Sequence, residues 1–244
     1  MRLLSKKRKF APSLLMTLIA IAGFVLFCAL GIWQLQRAEL KRQIEQRFQA
    51  RLAEPWQFVQ LDEAVNPMLQ YKKVELTGHY APQFSLLLDN QVFKQQVGYQ
   101  VLTPFFVNRR QAVLVNRGWV ALGPDRSVLP HIVAPKKMQR LQGIVTIPSE
   151  GGFRMGEVVM DGQWPQRIPY IDLQKIQQGV DFELLPYVIW LSEETADTYL
   201  RDWQPIWSSP EKSEAYALQW FSFAAITLIL FIALNLKKRD PGGD

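Results

Sequence analysis

Apolar residues fall along this chain in three regimes, two unbroken runs near the ends and an alternating pattern between them. Pro12 to Leu35 (PSLLMTLIAIAGFVLFCALGIWQL) holds no charged residue. A hydrocarbon core about 30 Å thick takes roughly 20 helical residues, so this run predicts a transmembrane helix. A cleaved signal peptide would carry about 7–15 apolar residues closed by a small-x-small site. This run is longer, lacks a clean site after it and continues into Trp33, so an uncleaved anchor is expected. Tyr216 to Leu236 (YALQWFSFAAITLILFIALNL) is equally free of charge and predicts a second span. Tyr216, Trp220 and Phe221 crowd its first turn, where an interfacial aromatic belt belongs, and Lys237, Lys238 and Arg239 close it. A core helix of a soluble protein would rarely be apolar all round over such a length.

The period changes between the spans. Leu35 to Ala53 is charge-rich, built of good helix formers and free of Gly and Pro, so the first helix is expected to continue through it. Leu40, Ile44, Phe48 and Leu52 recur every fourth residue, a narrow stripe expected to pack on the chain's own domain. From Tyr71 the pattern is that of short strands: Val74–Tyr80, Phe84–Asp89, Val97–Val107, Ala112–Val120, Arg140–Ile147, Arg167–Asp172 and Pro186–Ser192. Asn108 to Gln111 suits a hairpin connection. Leu173–Gln178 and Glu193–Asp202 predict short helices, and Gly123–Pro135 and Pro148–Gly152 predict exposed loops. The expected fold class is a membrane protein whose N- and C-terminal transmembrane helices flank an α+β, mainly antiparallel-β, extracytoplasmic domain.

Charge refines this outline. The net charge is +6, yet Arg2, Lys6, Lys7, Arg8 and Lys9 alone supply +5. Positions 10–236 carry 20 basic and 20 acidic residues, so the domain is neutral. A nucleic-acid surface needs its basic excess on a folded face rather than in tails, and no nucleic-acid partner is expected. Basic residues flank the end of each span nearest its chain terminus, and both termini are therefore expected in the cytoplasm. The resulting map is a cytoplasmic tail at 1–11, a span at 12–35, a periplasmic domain at 36–214, a span at 215–236 and a cytoplasmic tail at 237–244. The first nine residues, ahead of the first span, carry five charges, unlike an Arg- and Ser-rich mitochondrial presequence, so a bacterial inner membrane is expected. The single cysteine, Cys28, cannot form an intrachain disulfide, and Leu26-Phe27 before it does not fit a lipoprotein attachment site.

Catalytic motifs are not apparent. His79 and His131 are the only histidines, and neither has a second ligand at metal-binding spacing. No nucleophile elbow, P-loop or dinucleotide fingerprint occurs, and the glycines at 151, 152 and 156 lack the lysine and the strand–loop–helix setting of a phosphate loop. No catalytic residue and no metal are assigned, and a non-enzymatic role is expected. Three stretches stand out instead. Gly31 to Arg37 sets Trp33, Gln34 and Arg37 at the outer end of the first span. Val113 to Val120 is an apolar strand interrupted by Asn116-Arg117-Gly118-Trp119, where a half-buried arginine must be paired. Tyr216 to Phe221 brings Tyr216, Gln219 and Trp220 to the outer edge of the second span, where an amide needs a partner. These ends read either as interface anchors or as one site that grips a flat ligand or a partner helix.

Together the three stretches, in this order and at these helix ends, resemble the signatures of the surfeit locus protein 1 family of cytochrome c oxidase assembly factors. Gly31–Leu35 with Arg37 and Lys41 is similar to the first signature, Gly98–Pro104 followed by Val113–Val120 to the central one, and Tyr216-Ala217 with Gln219–Phe221 to the last. The resemblance spans nearly the whole chain and implies help with haem a insertion into the oxidase catalytic subunit. It implies partners in that subunit, in other assembly factors and in membrane lipid, with haem a as a transient ligand near Trp33, Gln34, Arg37, Tyr216, Gln219 and Trp220. Arg117, Gly118 and Trp119 take a structural or partner-contact role. Members commonly have a histidine three residues before the closing tyrosine, where this chain has Ser213. Haem would then be ligated by another group, His79 being one option, or by no side chain. The alternative is a scaffold for oxidase subunits that does not bind haem.

Overall fold

A computed structural model describes residues 8–135, 137–148, 156–206 and 208–238. The basic residues Arg2, Lys6 and Lys7, the Gly151-Gly152 turn and Arg239 lie outside the described residues. In chain order the elements begin with β1 (Arg8–Phe10), α1 (Leu14–Leu52), β2 (Gln57–Phe58), β3 (Lys73–Tyr80), β4 (Leu86–Phe93), β5 (Gln96–Phe106) and β6 (Gln111–Ala121). They continue with β7 (Gln139–Thr146), β8 (Gln166–Ile168), α2 (Leu173–Gln177), β9 (Glu183–Leu191), α3 (Pro210–Asn235) and β10 (Leu236–Lys238). The chain divides into two units, residues 1–46 with 205–244, and residues 47–204.

The first unit is a helical hairpin. Both α1 and α3 contain a stretch long and apolar enough to cross a membrane. They run antiparallel: Gly23 lies beside Thr227, Gly31 beside Phe221, and Lys41 bonds to Ser213. Their contact face is built of small residues. Ala20 and Ala38 on α1 and Ser213, Ala217 and Ala224 on α3 are buried, while Leu15, Ile19, Leu26, Leu218 and Leu230 are exposed. Small residues let two helix backbones approach closely. Below the pair, β1 and β10 form an antiparallel ribbon with Phe10 opposite Leu236, so the two chain ends leave from the same end of the hairpin.

The second unit is a barrel. Strands β3, β7, β9, β6 and β5 are neighbours in that order, and a β3–β5 pairing closes the ring. Closure is tight at Gly78, where a Cβ would sit 1.9 Å from the Phe106 carbonyl oxygen, so a side chain there would force the wall open. Val74, Leu76, Phe105, Val113, Val115, Tyr187 and Ile189 fill the interior. Outside it, β4 and β8 continue the sheet from β5, and Leu88, Leu102, Leu114 and Val188 pack with Ile168 and with Ile176 of α2. The central strands are therefore covered on both faces, the condition under which alternation gives way to a continuous apolar run. Residues 112–119 of β6 are buried without interruption.

Most expected strands form near their predicted bounds, and five of the eight pairings within the large sheet are antiparallel. The parallel β2–β3, β4–β8 and β6–β9 contacts and the ring closure go beyond the alternation pattern of the sequence. Three local expectations are corrected. Glu193–Asp202 is not a helix: the segment crosses β6 as an extended strap, with Leu200 bridged to Trp119. Strand Phe84–Asp89 starts later and runs to Phe93, because Lys94 and Gln95, with φ of 46° and 66°, make a two-residue turn into β5. That primed turn ordinarily needs Gly or Asn. Arg167–Asp172 is a strand only to Ile168. On the helical stripe, Phe48 is buried against Tyr71 and Trp190, whereas Leu40 is exposed.

Candidate functional site

In the helical hairpin, Trp33 and Arg37 occupy the same stretch as Tyr216, Gln219 and Trp220, because the Gly31–Phe221 and Lys41–Ser213 contacts bracket both sets. The geometry divides these residues. Trp220 is turned inward and stacks on Phe27, with ring centroids 5.9 Å apart, and Gln34 is half-buried. Trp33, Arg37, Tyr216 and Gln219 point outward and are exposed. The Arg37 guanidinium lies 5.5 Å from the centre of the Trp33 ring. The Gln219 amide has no hydrogen-bond partner among the described residues. An amide on an otherwise apolar helix face is satisfied only by something outside the hairpin.

The end of the hairpin is closed by Lys41. Its ammonium donates to Ser208 Oγ at 2.9 Å, to Ser213 Oγ at 2.8 Å and to the Ser209 carbonyl at 3.4 Å. Desolvation lowers its pKa, and the like charges of Arg37 and Lys212 lower it further. Beside it, Arg42 bonds to Glu214. Ser213 is 3% exposed, so this position faces the helix contact and its hydroxyl is engaged by Lys41. Lys41 belongs to the first signature, but its partners Ser208 and Ser213 lie more than 160 residues away and could not be read from spacing.

In the barrel, the Asn116–Trp119 stretch builds a latch. Val101 pairs with Gly118 and Leu102 with Asn116, which makes Arg117 the extra residue of a β-bulge. Gly118 has φ of 122°, a conformation that favours glycine, and a Cβ there would meet the Leu200 carbonyl oxygen at 2.5 Å. The bulge sends Arg117 into a site where it is 2% exposed. Its Nε donates to Asp197 Oδ2 at 2.8 Å and its Nη2 to Oδ1 at 3.0 Å, a bidentate pair. Tyr80 and Tyr199 cover the guanidinium at 5.1 and 4.8 Å from their ring centres. Burial raises the pKa of both phenols, which disfavours their ionisation.

Trp119 completes the latch. Its N–H donates to the Leu200 carbonyl at 2.6 Å, its carbonyl accepts from Leu200 N–H, and its indole N–H reaches the Gln91 carbonyl at 2.8 Å. The strap is held at further points: Arg201 donates to the Ser192 and Thr195 carbonyls, and Trp203 stacks on Trp190 while donating to the Leu191 carbonyl. Arg117, Gly118 and Trp119 thus hold residues 192–204, the segment that leads into α3.

The other places with chemical potential offer less. His79 stacks on Phe106 at 5.3 Å, and His131 lies exposed in the loop after β6. A groove of about 420 Å³ opens beside β3, lined by Phe58, Leu61, Leu76, Val107 and the carboxylate of Glu75. Glu75 lies 3.1 Å from Arg140, and no histidine, cysteine or second acid lines the groove. Among the described residues no three acidic, histidine or cysteine side chains converge as metal ligands.

Comparison with known proteins follows the same ground. A model of the SURF1 family matches residues 21–225, taking in most of both helices and the whole barrel. A SURF1-like protein of Rickettsia prowazekii is 30% identical over 91% of each chain. One of Rickettsia bellii is 24% identical over 88% of each. The cytochrome oxidase assembly protein SHY1 of Saccharomyces cerevisiae is 25% identical over 54% of this chain and 35% of its own length.

Proposed function

This chain belongs to the SURF1 family, and from that premise we propose that it is a membrane-anchored, non-catalytic factor in the assembly of a haem–copper terminal oxidase. The observation that carries this is the family match across both helices and the barrel, joined to a yeast relative that is itself a cytochrome oxidase assembly protein. The barrel latches its last segment through buried contacts and presents no paired acid–base groups in its groove, features that suit a docking body. Its partners are the oxidase catalytic subunit and further assembly factors. Deleting the gene should lower oxidase activity and the haem a band of membranes while oxidase transcripts hold. Unchanged oxidase spectra in that strain would refute the assignment.

In this reading both spans cross a bacterial inner membrane, with the termini cytoplasmic and the barrel periplasmic. The β1–β10 ribbon, which brings both chain ends to one end of the hairpin, supports a common side for the termini. The finer role is haem a delivery at the outer helix ends, where Trp33, Arg37, Tyr216 and Gln219 remain free of the helix contact. A second reading, a scaffold that never holds haem, is favoured by one observation: the hydroxyl of Ser213, where members commonly have histidine, is already bonded to Lys41. Titration of the purified protein with haem separates the two. A Soret band saturating near one equivalent supports delivery, and its absence supports the scaffold.

A further inference from the structure

Cations and aromatics alternate along the hairpin's outer end. On α1, Trp33, Arg37 and Lys41 recur every fourth residue, and on α3 Lys212 and Tyr216 do the same, so each set forms a column on its helix. In each column the aromatic lies on the side of the apolar stretch and the cation beyond it. Lys41 is held by two hydroxyls and a carbonyl, none of them charged. Arg37 and Lys212, and opposing them the carboxylate of Glu211, are near enough for their charges to act on Lys41. Neither forms an ion pair with a carboxylate among the described residues. The neighbouring acids are largely engaged elsewhere. Glu214 bonds to Arg42, Glu39 bonds to Gln43 and lies by Arg42, and Glu211 is held by its own backbone N–H and by Ser209.

Three cations with the single Glu211 carboxylate acting among them leave an excess of positive charge that an anion would neutralise, and the exposed residues beneath them, Ile32 and Leu218 among them, are apolar. A ligand matching both features is amphipathic with an anionic head. We propose that this end of the hairpin binds one anionic phospholipid, its phosphate taken by Arg37 and Lys212 beside the already bonded Lys41 ammonium, and its acyl chains lying on the apolar helix faces below. The site rests on the reading that both helices cross a membrane. It gives the cations a function independent of whether haem is carried.

The test is native mass spectrometry of the full-length protein purified from membranes and exchanged into vesicles of phosphatidylcholine with or without phosphatidylglycerol. Wild-type protein should retain one phosphatidylglycerol in preference to phosphatidylcholine. The R37Q/K212Q variant should retain it about thirtyfold less, at roughly fivefold for each interfacial cation removed. Folding of the variant is checked by a disulfide between cysteines placed at 23 and 227, in a Cys28→Ala background, where the two helices touch. Equal retention of the two lipids by wild type, or equal retention of phosphatidylglycerol by wild type and a cross-linking variant, overturns the proposal. Displacement of the lipid by inorganic phosphate would show a bare phosphate site and overturn it as well. Release of wild-type protein by an alkaline carbonate wash, without detergent, would instead defeat the membrane reading and the lipid site together.

Discussion

At the scale of single residues, the barrel depends most on Arg117. Its charge is buried and, among the described residues, is paired with Asp197, with Tyr80 and Tyr199 over the guanidinium. Removing one partner of a buried pair strands the other charge and costs about 3–5 kcal/mol. Arg117→Ala should therefore lower barrel stability by that amount in denaturant unfolding. The paired change R117M/D197L, which removes both charges, should recover much of the loss. If Arg117→Ala unfolds like wild type but oxidase assembly fails, the arginine is a contact for another protein. The need for a partner was legible in the sequence, since an arginine inside an apolar strand demands one. The partner was not legible: Asp197 lies 80 residues on, in a segment whose composition favours helix. The glycine after Arg117 was a readable sign of a bulge or close approach, and it proves to be both.

At the scale of elements, the hairpin's spacing rests on Gly31. A Cβ at this position would lie 2.6–2.9 Å from the Phe221 ring, so Gly31→Leu must displace that ring or push the two helices apart. Overpacking of this kind costs about 1–3 kcal/mol. The expected result is a clear fall in the yield of a cysteine cross-link between positions 23 and 227, and an unchanged yield would show that the ring simply rotates away. Helices and central strands were readable because their signal is periodic or continuously apolar over eight or more residues. The elements misread are those fixed by contacts remote in sequence. Residues 193–202 have helix-forming composition, but Leu200 pairs with Trp119 and the pairing wins over propensity. The Lys94-Gln95 turn carries no glycine or asparagine to announce its positive φ. The helix ends at Trp33–Arg37 and Tyr216–Phe221 were visible as polar residues on apolar helices, whereas their division into inward Trp220 and outward Gln219 needed the register of α3 against α1.

At the scale of the whole molecule, ring closure is the feature farthest from the sequence, because a β3–β5 pairing leaves no mark on either strand except the glycine that permits it. Topology is a different case, inferred from the distribution of charge. The first nine residues carry +5, Lys237, Lys238 and Arg239 follow the second span, and positions 10–236 are balanced. Positive charge near span ends is retained on the cytoplasmic side, and two spans return the chain to the side where it began. The β1–β10 ribbon would strain if the ends were on opposite sides, since it pairs Arg8 with Lys238 along one edge of the hairpin. Alkaline phosphatase inserted in the loop at 123–135, which lies on the barrel surface, should therefore be active, and the same reporter fused after Asp244 should be inactive. β-Galactosidase at the two positions should give the opposite pattern. Phosphatase activity at the C-terminal fusion would place the chain ends outside and invert the map. The outer helix ends would then lie at the cytoplasmic face, and the lipid and haem readings would both have to move to that leaflet.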